Sequence, residues 1–101
     1  MGKNRRGTEP HIAMLEVWRM KKLNKIAEAI ADYYKNEYGH VEILKRGIDA
    51  LDVVFYSYWE PEIGYLIQYN SDGHIEIEHL NDIKKKAPVL YREIKDLIDE
   101  E

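Results

Sequence analysis

The sequence predicts an α+β domain: one four-stranded antiparallel meander with a long helix before it and a helix after it, in the order α-β-β-β-β-α. Three observations predict this. Apolar residues recur at a helical period from His11 to about Glu37. Short β-branched and aromatic runs follow, two of them flanking Ser71-Asp72-Gly73, a strong hairpin signal. The tail from Ile83 to Leu97 returns to helical spacing.

Residues 1–8 read as a flexible basic arm, and residues 9–101 as a single domain. Thr8 can cap the first helix, and Pro10 suits its first turn. Ile12, Leu15, Leu23, Ile26, Ile30 and Tyr33 share one stripe, widened by Trp18, Ala27 and Tyr34. Asn24 is its one soft spot, and Gly39 is expected to end it.

Strands are expected at Val41–Arg46, Leu51–Trp59, Gly64–Asn70 and His74–Leu80. The last hairpin has two possible registers. A two-residue turn at Asp72-Gly73 would set Tyr69 against Glu76 and Ile67 against Glu78. A three-residue loop with Gly73 left-handed pairs Tyr69 with Ile75 and Ile67 with Ile77, which keeps apolar residues on one face and is preferred. With a loop at Glu60–Gly64, the core face then carries Val53, Phe55, Ser57 and Trp59 beside Tyr65, Ile67 and Tyr69. The opposite face carries Val54, Tyr56, Tyr58, Leu66, Gln68, Asn70, Glu76 and Glu78.

In the tail, Asn81 or Asp82 can cap. Ile83, Ala87, Leu90, Ile94 and Leu97 form the stripe. Residues before proline avoid the helical region, so Pro88 divides the segment into a short turn to Lys86 and a helix to about Glu100.

Composition narrows the function. A chain of 101 residues supports one core. With no cysteine, disulfides, thiolate metal sites and cysteine nucleophiles are excluded. The longest uncharged apolar run, Val53 to Trp59, is far short of the roughly 20 residues of a membrane span. Met1–Pro10 has no apolar core of a signal peptide. A soluble cytoplasmic protein with no membrane partner is expected. The 12 Glu, 12 Ile and 10 Lys against a single Gln suit a hyperthermophile.

The net charge of −4 is unevenly spread, because most of the cations lie in the first half. Residues 1–25 hold Lys3, Arg5, Arg6, Arg19, Lys21, Lys22 and Lys25 against Glu9 and Glu16. A basic first quarter on an acidic body points to a polyanion site or to head-to-tail attraction between subunits.

Four chemistries have candidate residues in this sequence. His74, Glu76 and Glu78 share one strand face, but alternate residues lie about 7 Å apart, too far for three to meet one ion unaided. No metal or cofactor is expected. Gly47–Val54 and Tyr65–Asn70 loosely resemble the Asp and Glu-x-Lys strands of restriction-enzyme-like nucleases. Gln68 and Asn70 replace the Glu and Lys, so the anionic metal ligands are missing and at most a degenerate relative is implied. Ser57, Ser71 and Thr8 have no nucleophile motif around them, so no enzyme is expected. Single-stranded nucleic-acid binding needs cations for phosphates and aromatic faces for bases. Arg5, Arg6, Arg19, Lys21, Lys22, Lys25, Lys45 and Arg46 supply the first, Tyr56 and Tyr58 the second. Those tyrosines with Leu66 would equally serve a subunit interface.

With a first helix at Pro10–Glu37, a meander at Val41–Leu80, a terminal helix at Pro88–Glu100 and eight tyrosines, the chain resembles the ThermoDBP-related archaeal proteins. The likeness is one of element order and composition. It implies a single-stranded-DNA-binding domain that forms homo-oligomers, and it brings no site residue with it. The expectation is a non-enzymatic single-stranded nucleic-acid-binding module acting as a homodimer or higher homo-oligomer. The alternatives are a protein-interaction module and the degenerate nuclease.

Overall fold

The computed structural model describes residues 9–100, with side chains from Val17 onward. The expected arm with Arg5 and Arg6, the Thr8 cap, and the side chains of Ile12 and Leu15 lie outside the described residues. The elements are α1 (Glu9–Tyr34), β1 (His40–Gly47), β2 (Ala50–Ser57), β3 (Glu60–Tyr69), β4 (Ile75–Ile77), α2 (Leu80–Lys86) and α3 (Pro88–Asp99). The strands pair antiparallel in the order β1-β2-β3-β4, the expected meander. All three helices contribute to one core against one sheet face, the two-layer solution for a sheet with a single apolar side.

α1 buries Leu23, Ile26, Ala27, Ile30 and Tyr34. At 100° per residue these five fall within about 50° of a common direction. Tyr33 falls about 75° from that direction and Trp18 about 140°, so both remain near half-exposed rather than joining the stripe. The helix ends at Tyr34, short of Glu37, and Glu37 N–H closes a turn on the Tyr34 carbonyl at 2.9 Å. Gly39 does not cap it; its N–H donates to the Tyr56 carbonyl at 3.2 Å and leads the chain into β1.

The β3–β4 register pairs Ile67 with Ile77 and Tyr69 with Ile75, as the apolar pattern requires. Gly73 has φ +82°, and the Asn70 side-chain oxygen accepts from the N–H groups of Asp72 and His74 at 2.9 and 3.0 Å. The β2–β3 connection differs from expectation. β2 stops at Ser57, Tyr58-Trp59 form a two-residue turn, and β3 begins at Glu60. Both turn residues have positive φ (53° and 70°), the hand a primed hairpin turn demands. A bulge follows, with Phe55 facing Ile63 but Tyr56 facing Pro61. Trp59 is therefore not a core residue: it is 79% exposed.

The core is Leu23, Ile26 and Ile30 of α1 on Leu51, Val53 and Phe55 of β2 and Tyr65 and Ile67 of β3. Ile83, Ala87, Leu90 and Ile94 of α2 and α3 seal it. Each large apolar side chain so buried contributes about 1.5–3 kcal/mol. Phe55 is its aromatic centre, 4.9 Å from Tyr38, 5.5 Å from Tyr34 and 6.0 Å from Tyr65, ring to ring.

β4 is shorter than expected because His79 turns left-handed at φ 61° and becomes the residue before α2. The expected caps Asn81 and Asp82 lie inside that helix instead, with Asp82 in its first turn. Pro88 divides the tail as its chemistry dictates: Ala87 is non-helical, and Pro88 opens α3.

Candidate nucleic-acid interface

The sheet separates the candidate residues into groups that do not meet. Tyr56 lies on the face away from the helices, opposite His40. Its hydroxyl donates to Glu42 Oε2 at 3.2 Å, and Glu42 Oε1 lies 3.1 Å from His40 Nε2. Partial desolvation, and after it that hydrogen bond, raise the Tyr56 pKa. Arg46 reaches the same face and pairs with Asp52 Oδ2 at 3.2 Å. Lys45 pairs across from Leu51, which assigns it to the helix-covered face at the exposed edge strand. Tyr58 is on neither face; it projects from the turn, 95% exposed. Of the two tyrosines expected on the open sheet face, Tyr56 lies there and Tyr58 does not, so they form no pair on that face. The open face carries Glu42, Asp52 and Glu76 among its apolar residues, which disfavours phosphate there.

The helix residues do come together. Trp18, Lys21, Lys22 and Lys25 are spaced at i, i+3, i+4 and i+7 on the outer side of α1, away from the stripe. Lys22 Nζ lies 5.1 Å from the Trp18 ring centre. Trp18, Lys21, Lys22 and Lys25 border a shallow hollow of about 140 Å³ with Leu97 and Glu100. Lys22 donates to the Glu100 carbonyl, and Lys25 pairs with its carboxylate at 3.1 Å, so two cations close off the carbonyl end of α3. Lys21 makes no ion pair among the described residues.

A second hollow, about 260 Å³, lies on the other side of Trp18, against Arg19, Tyr69, His74 and Ile98. Arg19 stands 5.0 Å over the Tyr69 ring and bonds Asp49 Oδ2 at 3.3 Å. The Tyr69 hydroxyl and Asp49 Oδ1 are buried without a hydrogen-bond partner among the described residues. Burial pushes the Tyr69 pKa up, opposed by Arg19.

Trp18 thus stands between two hollows, with cations on each side. Helical spacing counts Trp18 with the core stripe, and strand alternation sets Tyr56 and Tyr58 on an open face; the structure leaves Trp18 47% exposed. The available signal was angular: Trp18 shares its helix side with three lysines and not with Leu23 and Ile26. The Arg19–Asp49 contact and the Tyr58-Trp59 turn lie at opposite ends of β2, eight residues or about 25 Å apart.

Among the described residues no three His, Asp or Glu side chains converge to hold a metal ion. None of the described helices is long and apolar enough to cross a membrane. No protein-family model matches the chain, and no curated protein or solved structure matches it significantly.

Proposed function

We propose that this chain is a non-enzymatic single-stranded nucleic-acid-binding module whose contact surface is the outer side of α1 around Trp18, and that it acts as a homo-oligomer. The observation that carries the reading is the Trp18 indole, 47% exposed and flanked by Lys21, Lys22 and Lys25, with Arg19 on Tyr69 beside it. An exposed indole offers a face to any base, and neighbouring cations meet the phosphates to either side. A duplex keeps its bases stacked inside and gains only the charge contribution. The resemblance to the ThermoDBP-related proteins in element order supports the same class and the same homo-oligomeric habit. Lys45, Arg46, Tyr56 and Tyr58 belong to other surfaces and are left out of this site; Arg5 and Arg6 precede the described residues.

The test is fluorescence anisotropy of a labelled single-stranded oligonucleotide, with a duplex as control, across a salt series. Saturable binding that prefers the single strand at physiological salt is expected. Trp18→Ala should weaken it about tenfold, within the roughly 1–3 kcal/mol that one stacked base contributes. Lys21→Ala should lower affinity modestly and flatten the salt dependence. Equal, salt-abolished binding of both ligands would overturn the reading.

A further inference from the structure

The other end of the molecule carries a different surface. Tyr58 and Trp59 sit at the tip of the β2–β3 hairpin, 95% and 79% exposed. With Glu37, His40 and Tyr56 they line a hollow of about 450 Å³. The His40 ring lies 5.2 Å from Trp59 and 5.5 Å from Tyr56, so three aromatic groups border one space. Carboxylates are concentrated at this end. Glu37 lines the hollow, Glu42 holds His40 and Tyr56, and Glu60 and Glu62 stand one and three residues after Trp59 in the sequence. Among residues 35–42 and 56–62 these four face one lysine, Lys35. Glu37, Glu60 and Glu62 make no ion pair among the described residues.

Aromatic faces rimmed with carboxylates select a cation, and best a guanidinium, which stacks on a ring while its N–H groups meet a carboxylate. The chain carries such a group: residues 1–8 contain Lys3, Arg5 and Arg6 and no acid. Even a fully extended stretch of that length is shorter than α1. α1 is 26 residues long, about 39 Å, and runs from Glu9 to Tyr34, whose ring packs on Phe55 near the hollow. Eight extended residues span at most about 29 Å, and Arg6 is three residues from the start of the helix.

We infer that the aromatic, acidic end formed by His40, Tyr56, Tyr58 and Trp59 receives the Lys3–Arg6 segment of a second copy, joining copies head to tail. Such a contact is heterologous, so it closes into a ring or extends as a filament. The inference rests on the oligomeric half of the proposed function and is independent of the nucleic-acid half. A second basic run, Lys84-Lys85-Lys86, suits the hollow less well. It lies in a helix that splays successive side chains by 100°, and Lys84 already stands 5.5 Å over Tyr91.

Sedimentation velocity of the full chain at low salt tests this. The unaltered protein should form species larger than a monomer that added salt weakens. Arg5→Glu with Arg6→Glu, and separately Trp59→Ala, should each weaken association roughly tenfold or more, the scale of one lost cation–aromatic contact with its ion pair. Mixed together, those two variants should stop at a dimer, because one intact segment and one intact hollow remain to join. Glu60→Lys with Glu62→Lys is a second variant of the acidic rim, and it should restore association to the Arg5→Glu/Arg6→Glu chain. Lys85→Glu with Lys86→Glu should change nothing. If the unaltered protein is a monomer at every concentration, both the oligomeric reading and this inference fail. If association survives the segment and Trp59 variants, or is lost in the Lys85/Lys86 variant, only this inference fails and the copies join elsewhere.

Discussion

Tyr58 and Trp59 hold a backbone conformation that side chains with a Cβ adopt at a cost of roughly 1–2 kcal/mol each. Asn-Gly is the pair that this turn prefers. Tyr58→Asn with Trp59→Gly should therefore raise stability by about 1–2 kcal/mol in chemical denaturation while abolishing head-to-tail association. A substitution that stabilises the fold and removes the contact would separate the two roles of the turn. Burial acts on the tyrosines inside. Tyr65, stacked on Tyr34 with ring centres 6.1 Å apart, has its pKa raised first by burial and then by Tyr34; burial also raises Tyr34. The folded chain therefore keeps its protons when the unfolded chain, titrating near pH 10, releases them. The stabilisation is complete below about pH 10 and is lost as pH climbs through the raised values. Denaturation midpoints measured from neutral to strongly alkaline pH should fall over that window, and Tyr65→Phe should flatten the fall. Phe55, fully buried among Tyr34, Tyr38 and Tyr65, should cost about 3–5 kcal/mol when changed to Ala.

Among the elements, the β3–β4 hairpin was legible because only one register keeps Ile67, Tyr69, Ile75 and Ile77 on a common face. Gly73 completes that loop at φ +82°, and a Cβ there would meet no atom within 4 Å. Gly73→Ala should thus destabilise the protein through backbone conformation alone, by about 1 kcal/mol, readable as a lowered denaturation midpoint. The division of the tail at Pro88 was equally legible, because the missing N–H and the restricted preceding residue act locally. The Tyr58-Trp59 turn was not. Tyrosine and tryptophan are strand formers, and nothing in their local chemistry announces positive φ. Pairing of Ser57 with Glu60 and of Val53 with Tyr65 imposes it from outside. The limits of α1 were blurred for a related reason. Tyr33 and Tyr34 look alike in sequence, and only packing on Phe55 and Tyr65 selects Tyr34.

At the scale of the molecule, the meander order and the one-sided placement of the helices followed from hydrophobic period, and the structure carries both. The candidate site was half legible. Charge located the cations on α1, but strand alternation assigned the aromatic partners to Tyr56 and Tyr58 on an open sheet face, across or beyond the sheet from those cations. Joining side chains into a surface needs the third dimension, and there Trp18 replaces them. The molecule then has two ends: a basic one at Trp18 and an acidic, aromatic one at Trp59. Each holds one of the chain's two tryptophans. The most direct test is an NMR titration that follows the two indole N–H signals as a short single-stranded oligonucleotide is added. The account predicts that the Trp18 signal moves with saturation. Binding of the oligonucleotide with the Trp18 signal unmoved would contradict it.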